Sequence, residues 1–171
     1  MTKHNVSIGL SNPKSAENVG SVLRASGCFG VDDIYFTGER YARAAKYNTD
    51  TKNANQKIAV TRVEHLLELL DSDCKVVCVE LVEGAIALPH FEHPEKACYI
   101  FGPEDGTLKQ EIVDKADAVV YIPTVGCLNL AATVNVVLYD RVAKSDLSFA
   151  NDALIRTSRD QNNHVKVNSK G

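Results

Sequence analysis

No stretch of the 171 residues approaches the roughly 20 uninterrupted apolar residues that a membrane helix requires, and the opening MTKHNVSIGL lacks the apolar run of a signal peptide. A membrane association is not expected, and the reading is of a soluble, cytoplasmic protein. The five cysteines, Cys28, Cys74, Cys78, Cys98 and Cys127, include no CxxC pair and are odd in number, so neither a zinc knuckle nor a complete disulfide set is indicated. Free thiols are the default, and all but Cys127 sit in apolar surroundings where cysteine packs as a small hydrophobe. The five histidines show no HExxH or other metal spacing, so no metal is expected. Also missing are a GxGxxG turn, a Walker loop, internal repeats and low-complexity linkers.

An excess of positive charge is absent too: the formal net charge is −3. The average conceals a gradient, because residues 1–60 hold 8 Lys and Arg against 5 Asp and Glu, residues 61–150 hold 7 against 15, and residues 151–171 hold 4 against 2. The basic excess in the first part concentrates between Glu39 and Lys57, where Arg40, Arg43, Lys46, Lys52 and Lys57 are interleaved with Tyr41 and Tyr47. That composition suits phosphate contact with base stacking. It equally suits a solvated loop.

The length fits one compact domain, residues 1–150, followed by a polar tail, residues 151–171, in which HVKV is a candidate short strand. Short runs rich in Val and Ile (VSIGL, DDIYFTG, KIAVTRV, KVVCVELV, KACYIFG, AVVYIPT) alternate with segments of helical period, among them EHLLELLDS, TLKQEIVDKA and LNLAATVNVVLYDRVAKS. This alternation predicts an α/β fold, a mostly parallel sheet with helices on both faces. The last of those helical segments is apolar nearly all round, which marks a buried element.

The first helix is expected from about Asn18 to Gly27, prepared by an Asn-Pro turn and Asn18. At 100° per residue, Val19, Val22, Leu23 and Ser26 form the core stripe, while Glu17, Gly20, Ser21, Arg24 and Gly27 fall on the far side. Arg24 thus emerges from a face of glycine and serine, where another backbone or a ligand can approach. Two glycines weaken such a helix by roughly 1 kcal/mol each against alanine, a cost usually tolerated for close approach or function.

Two later stretches repeat a plan of strand, turn and helix: FGPEDGTL, and IPTVGCLNLAATVNVVLYD. Together with Asn12, Asn18, Gly20 and Arg24, and in this order, they resemble the three motifs of the SpoU/TrmH branch of the SPOUT superfamily, RNA 2′-O-ribose methyltransferases. The resemblance spans about residues 5–143. It departs from the family pattern at Cys127 and Ala131, where serines are usual, and at Asp140, where glutamate is usual.

The resemblance implies a parallel α/β fold with a C-terminal deep trefoil knot. It implies S-adenosylmethionine as cofactor, held at Glu80 and Leu81, Phe101 and Gly102, Ile122, and Cys127 and Leu128. It also implies RNA as substrate, transfer RNA ahead of ribosomal RNA, and a homodimer in which Arg40, Arg43 and Lys46 reach the RNA. Arg24 would be the catalytic arginine, gripping a phosphate beside the target ribose, since a guanidinium holds its proton too firmly to serve as a base. Asn18 would steer the ribose or Arg24, Glu104 would order its loop, and Asn129 would fix Arg24 or the acceptor. The competing readings are a non-catalytic RNA-binding or S-adenosylmethionine-sensing module of the same fold, and a cysteine-nucleophile enzyme using Cys127, which would need a histidine partner.

Overall fold

In a computed structural model, which describes residues 6–47 and 58–168, seven strands form one sheet. They are β1 (Val6–Leu10), β2 (Asp33–Phe36), β3 (Ala59–Arg62), β4 (Lys75–Val79), β5 (Ile86–Ala87), β6 (Ala97–Phe101) and β7 (Ala118–Tyr121), in the order β3-β2-β1-β6-β4-β7-β5. Every pairing is parallel. The central β1 and β6 are buried at all five positions, as parallel strands covered on both faces must be.

One face carries α1 (Ala16–Phe29) and α4 (Leu130–Ala143), which pack on each other and on Ile8, Leu10, Val77, Tyr99 and Val120. The opposite face is covered by α3 (Gln110–Asp114) and the turns around Leu66, closing over Val76, Cys78, Cys98 and Ile100. Arg40–Tyr47 forms α2, whose Tyr41 meets Phe36 edge to face, and Asp152–Ser158 forms α5. No helix among the described residues is long and apolar enough to cross a membrane.

The connection from β4 to β5 is unusual. The two strands are parallel to β7 and lie on either side of it, yet residues 80–85 alone join them. A parallel crossover normally takes a dozen or more residues. The short loop consequently passes across the end of β7, and the chain leaving β7 has to turn beside it to reach α4.

The structure differs from the sequence reading in several places. Helix α1 begins at Ala16 with Ser15 as its cap, the Ser15 hydroxyl accepting the Asn18 amide at 3.2 Å, and Ala25 joins Val19, Val22 and Ser26 in the core while Leu23 is half-buried. EHLLELLDS is a pair of turns, not a helix. The Glu68 carboxylate accepts the Glu64 and His65 amides, and the Glu68 and Leu70 amides donate to the His65 and Leu67 carbonyls, closing the backbone in local turns. Cys28 is exposed and Cys74 half-exposed, so only Cys78 and Cys98 pack as small hydrophobes. Helix α4 is not buried all round: Val136 and Tyr139 are open to solvent. The tail holds α5, capped by Asn151, whereas HVKV forms no strand.

The C-terminal half of α4 is anchored by polar groups. His93 Nδ1 lies 2.7 Å from the Tyr99 hydroxyl and Nε2 lies 2.8 Å from Asp140 Oδ2. Arg141 donates to the Tyr99 oxygen at 3.0 Å and to the Pro94 and Glu95 carbonyls, and Lys144 donates to the Leu88 and Phe91 carbonyls and pairs with Asp140. With Arg141 donating to the Tyr99 oxygen, the Tyr99 hydroxyl donates a hydrogen bond to Nδ1 of a neutral imidazole, which itself donates from Nε2 to Asp140. Burial pushes the His93 pKa down and outweighs the opposing pull of Asp140. Above the unfolded value of about 6.5 both states are neutral; below it the unfolded chain takes up a proton that the folded one resists. Stability should fall as pH drops below about 6.5 and level off below the folded pKa. In thermal melts His93→Gln should remove that slope and cost about 2 kcal/mol at neutral pH through the unpaired Tyr99 and Asp140.

Candidate active site

Because all strands run the same way, the turns that leave β1, β4, β6 and β7 gather along one edge of the sheet. There they enclose a cavity of about 270 Å³, open on one side. It is slightly below the range of roughly 300–1,000 Å³ common for ligand sites. The floor is apolar, made by Phe101, Ile122, Leu128 and Leu130. Glu80, Leu81, Gly102 and Cys127 complete the walls. Asn18, Glu104 and Asn129 stand at its border, so residues from all three sequence motifs meet around one space.

Two carboxylates pin these walls. Glu80 Oε1 accepts the Leu81 amide and Oε2 accepts the Leu108 amide, both at 3.0 Å, tying the turn after β4 to the turn after β6. Gly102 makes that tie possible, since a Cβ there would stand 2.9 Å from Glu80 Oε2 and 3.3 Å from the Leu108 nitrogen. Glu104 reaches the opposite way: Oε2 accepts the Lys14 amide at 2.8 Å, and Oε1 accepts the Ser15 amide at 3.0 Å and the Asn18 side-chain amide at 3.3 Å. Partial burial works to raise the Glu104 pKa, but these hydrogen bonds together hold it below the ordinary carboxylate value.

Asn12 takes a left-handed conformation, φ 45°, and its amide donates to Thr37 Oγ1. A side chain at Gly38, φ 78°, would overlap Asn12, so this glycine is required by both backbone and contact. Asn129 caps α4, its Oδ1 accepting the Ala132 amide at 2.7 Å, and among the described residues it shares no hydrogen bond with Arg24.

Arg24 is exposed on the α1 face opposite Val19 and Val22, and it has no hydrogen-bond or ion-pair partner among the described residues. It does not line the cavity, whereas Asn18, about 9 Å back along the helix axis, does. Of the cations expected on RNA, Arg40 is engaged by Asp105 and the Asn12 carbonyl, Arg43 pairs with Glu39, and Lys46 is exposed. Lys52 and Lys57 lie outside the described residues.

No histidine lines the cavity, so Cys127 has no base beside it there. Among the described residues no group of His, Cys, Asp or Glu is placed to hold a metal ion. Val79, Tyr121, Thr124 and Thr133 also border the cavity and escaped the sequence reading. Val79 and Tyr121 are the last residues of β4 and β7, so their position at strand ends was the available signal. Thr133 sits one turn past Asn129, donating to its carbonyl.

A family model described as the SpoU rRNA Methylase family matches residues 5–139. The tRNA (cytidine-2'-O-)-methyltransferase TrmJ of Methanocaldococcus jannaschii is 27% identical over 157 residues, 81% of this chain and 68% of that protein. The SpoU methyltransferase AviRb from Streptomyces viridochromogenes, solved in complex with the cofactor AdoMet, superposes with a TM-score of 0.68 at 19% identity. That match covers 84% of this chain, which spans 59% of the AviRb chain. The A. aeolicus TrmH/SpoU tRNA modifying enzyme gives a TM-score of 0.64 at 18% identity, covering 82% of this chain and 75% of its own. At those identities the structures speak for the fold.

Glu104→Gln keeps one acceptor and turns an amide group toward backbone donors. It should cost about 1 kcal/mol of stability, below the roughly 1.5–3 kcal/mol of a charged hydrogen bond because the loop is open to water. The stability that Glu104 contributes is present above the unfolded pKa of about 4.3 and lost as pH falls through the lower folded value. Acid unfolding curves of the variant should accordingly be flatter than wild type in that window.

Proposed function

The chain belongs to the SpoU rRNA methylase family, and from that premise we propose that it transfers a methyl group from S-adenosylmethionine to a ribose 2′-hydroxyl of transfer RNA. The observation that carries this reading is the convergence of Asn18, Phe101 to Glu104 and Ile122 to Asn129 on one cavity. Transfer RNA is favoured over ribosomal RNA because both the M. jannaschii relative and the A. aeolicus enzyme are described as acting on tRNA.

The cavity suits the cofactor chemically. Phe101, Ile122 and Leu128 offer an apolar seat for adenine. Glu80 uses one lone pair on each oxygen for amides, which leaves acceptors for a ribose diol. Two carboxylates nearby favour a cationic group. Bound S-adenosylmethionine supplies an activated methyl on a sulfonium, so no metal is needed. Backbone at Leu81, Gly102 and Cys127 completes the seat, which makes the loss of serine at Cys127 tolerable.

The protein's remaining work is orientation, which can supply about 7–11 kcal/mol of a bimolecular barrier. Asn18, held by Glu104, is stationed at the cavity edge to direct the incoming ribose. Asn129 fixes the first turn of α4 and presents its free amide hydrogens to the acceptor. Arg24 grips the adjacent phosphate. As it does not line its own cavity, this role calls for a homodimer in which each cavity meets Arg24 of the partner subunit. Open space above Gly20 and Gly27 and the exposed Val136 and Tyr139 support such a face.

The same reading includes a deep trefoil knot, formed where the chain leaving β7 passes through the loop of residues 80–85. The placement of β7 between β4 and β5 supports it, against the general avoidance of knots.

Labelled S-adenosylmethionine incubated with separate tRNA and rRNA pools, followed by mapping of ribose methylation, tests the assignment. Label should enter tRNA, and Arg24→Ala should lower turnover by about 100-fold or more. Arg24→Lys should lose at least about tenfold, because a lysine cannot form the bidentate phosphate contact; near-normal turnover removes that role. Cofactor binding without incorporation into any RNA would favour the non-catalytic module. Gly102→Ala should weaken S-adenosylmethionine binding by about tenfold in calorimetric titration while the protein stays folded.

A further inference from the structure

Arg40, Arg43 and Lys46, which the resemblance places on RNA, all lie on α2, but the first of them points elsewhere. Arg40 Nη1 donates to both Asp105 oxygens, at 3.0 and 2.8 Å, while Nη2 donates to Asp105 Oδ1 at 3.0 Å and to the Asn12 carbonyl at 2.6 Å. This is the fork-to-fork geometry in which an arginine is bound most firmly by a carboxylate. Lys14 Nζ lies 4.0 Å from the same carboxylate.

Asp105 and Glu104 are consecutive, and they reach in opposite directions. Glu104 binds the start of α1, and Asp105 binds the start of α2. The turn that walls the cavity is thus strapped to two helices by neighbouring side chains. Asn12 closes the arrangement, since its amide is held by Thr37 and its carbonyl by Arg40.

We propose that Arg40 is a positioning residue for the cavity turn Gly102 to Gly106, acting through Asp105 and Asn12, and not a contact to RNA. A phosphate seeking Arg40 would have to displace Asp105 and approach two carboxylates. Hydrogen bonding to Arg40 also holds the Asp105 pKa below its ordinary value, as a settled ion pair should. Arg43 and Lys46 differ: the former has a single exposed partner one turn away, and the latter is open to solvent. These two remain available to a polyanion, so α2 divides into an inward strap and an outward basic end.

The cofactor consequence rests on the function proposed above; the strap itself does not. The experiment uses the full chain and the variants Arg40→Ala, Arg40→Lys, Asp105→Asn and Arg40→Ala/Asp105→Asn. Amide hydrogen exchange across Glu104 to Leu108 is measured without ligand, together with binding of S-adenosylmethionine and of bulk tRNA at several salt concentrations. Arg40→Ala and Asp105→Asn should each speed exchange in that turn and weaken S-adenosylmethionine by about fivefold, and the double variant should be no worse than either single one. Arg40→Lys should recover little, since an ammonium cannot bridge both oxygens. The tRNA salt slope should be unchanged.

Exchange in the turn that matches wild type in Asp105→Asn overturns the strap. A tRNA slope shallower by about 0.7–0.9 in Arg40→Ala, one phosphate's worth, overturns it equally. If wild type fails to bind S-adenosylmethionine, the proposed function falls while the exchange measurement still decides the role of Arg40.

Discussion

The Glu104 carboxylate, accepting the Lys14 and Ser15 amides and the Asn18 side chain, joins two turns 89 residues apart in sequence. A helix start carries unsatisfied amides and a partial positive charge, so an anion placed there is favoured. Here the anion is supplied by a loop that also walls the cavity. Where α1 begins and where the turn after β6 lies are consequently one decision. Glu80 makes the second such tie, and it can do so only because Gly102 has no side chain. The cavity is thus shaped by backbone held at carboxylates.

Helix α4 is fixed at both ends by different means. Its N-terminus is capped by Asn129 at the cavity rim, and its C-terminal half is fastened through Asp140, Arg141 and Lys144 to residues 88–95 and Tyr99. Each buried polar group in that fastening has a partner, which is the condition under which such networks rigidify a fold and do not weaken it. A cavity wall so anchored loses little freedom on receiving a ligand. The aspartate that departs from the usual family glutamate at 140 is the residue that receives both His93 and Lys144.

The strands were legible because buried parallel strands are runs of Val, Ile and similar residues, and the cavity residues were legible because three motifs recur in a fixed order. What could not be read depended on partners far away in sequence. EHLLELLDS has helical periodicity, but Glu68 turns back on the Glu64 and His65 amides and the segment closes as successive turns. Arg40 looked like its basic neighbours because nothing local announces Asp105, 65 positions later. β5 is two residues long and exists only because β7 offers it an edge. Cys28 follows apolar neighbours in sequence yet emerges on the open side of α1.

The separation of charge follows from the same architecture. Glu80 and Glu104 line the cavity with Asp105 beside them, while Arg24, Arg43 and Lys46 stand exposed on α1 and α2. On the proposed reading, a nucleic acid meets two fields. Its phosphates are repelled from the cavity mouth and attracted to the helices, whereas a ribose hydroxyl, neutral and able to donate, suffers no such penalty at the carboxylates. A net charge of −3 is then no obstacle to binding RNA. Glu80 and Glu104, with Asp105 next in sequence, place negative charge at the cavity itself, and on the same reading the exposed cations, carried by helices whose starts are tied to the same loop, decide which part of the nucleotide faces inward.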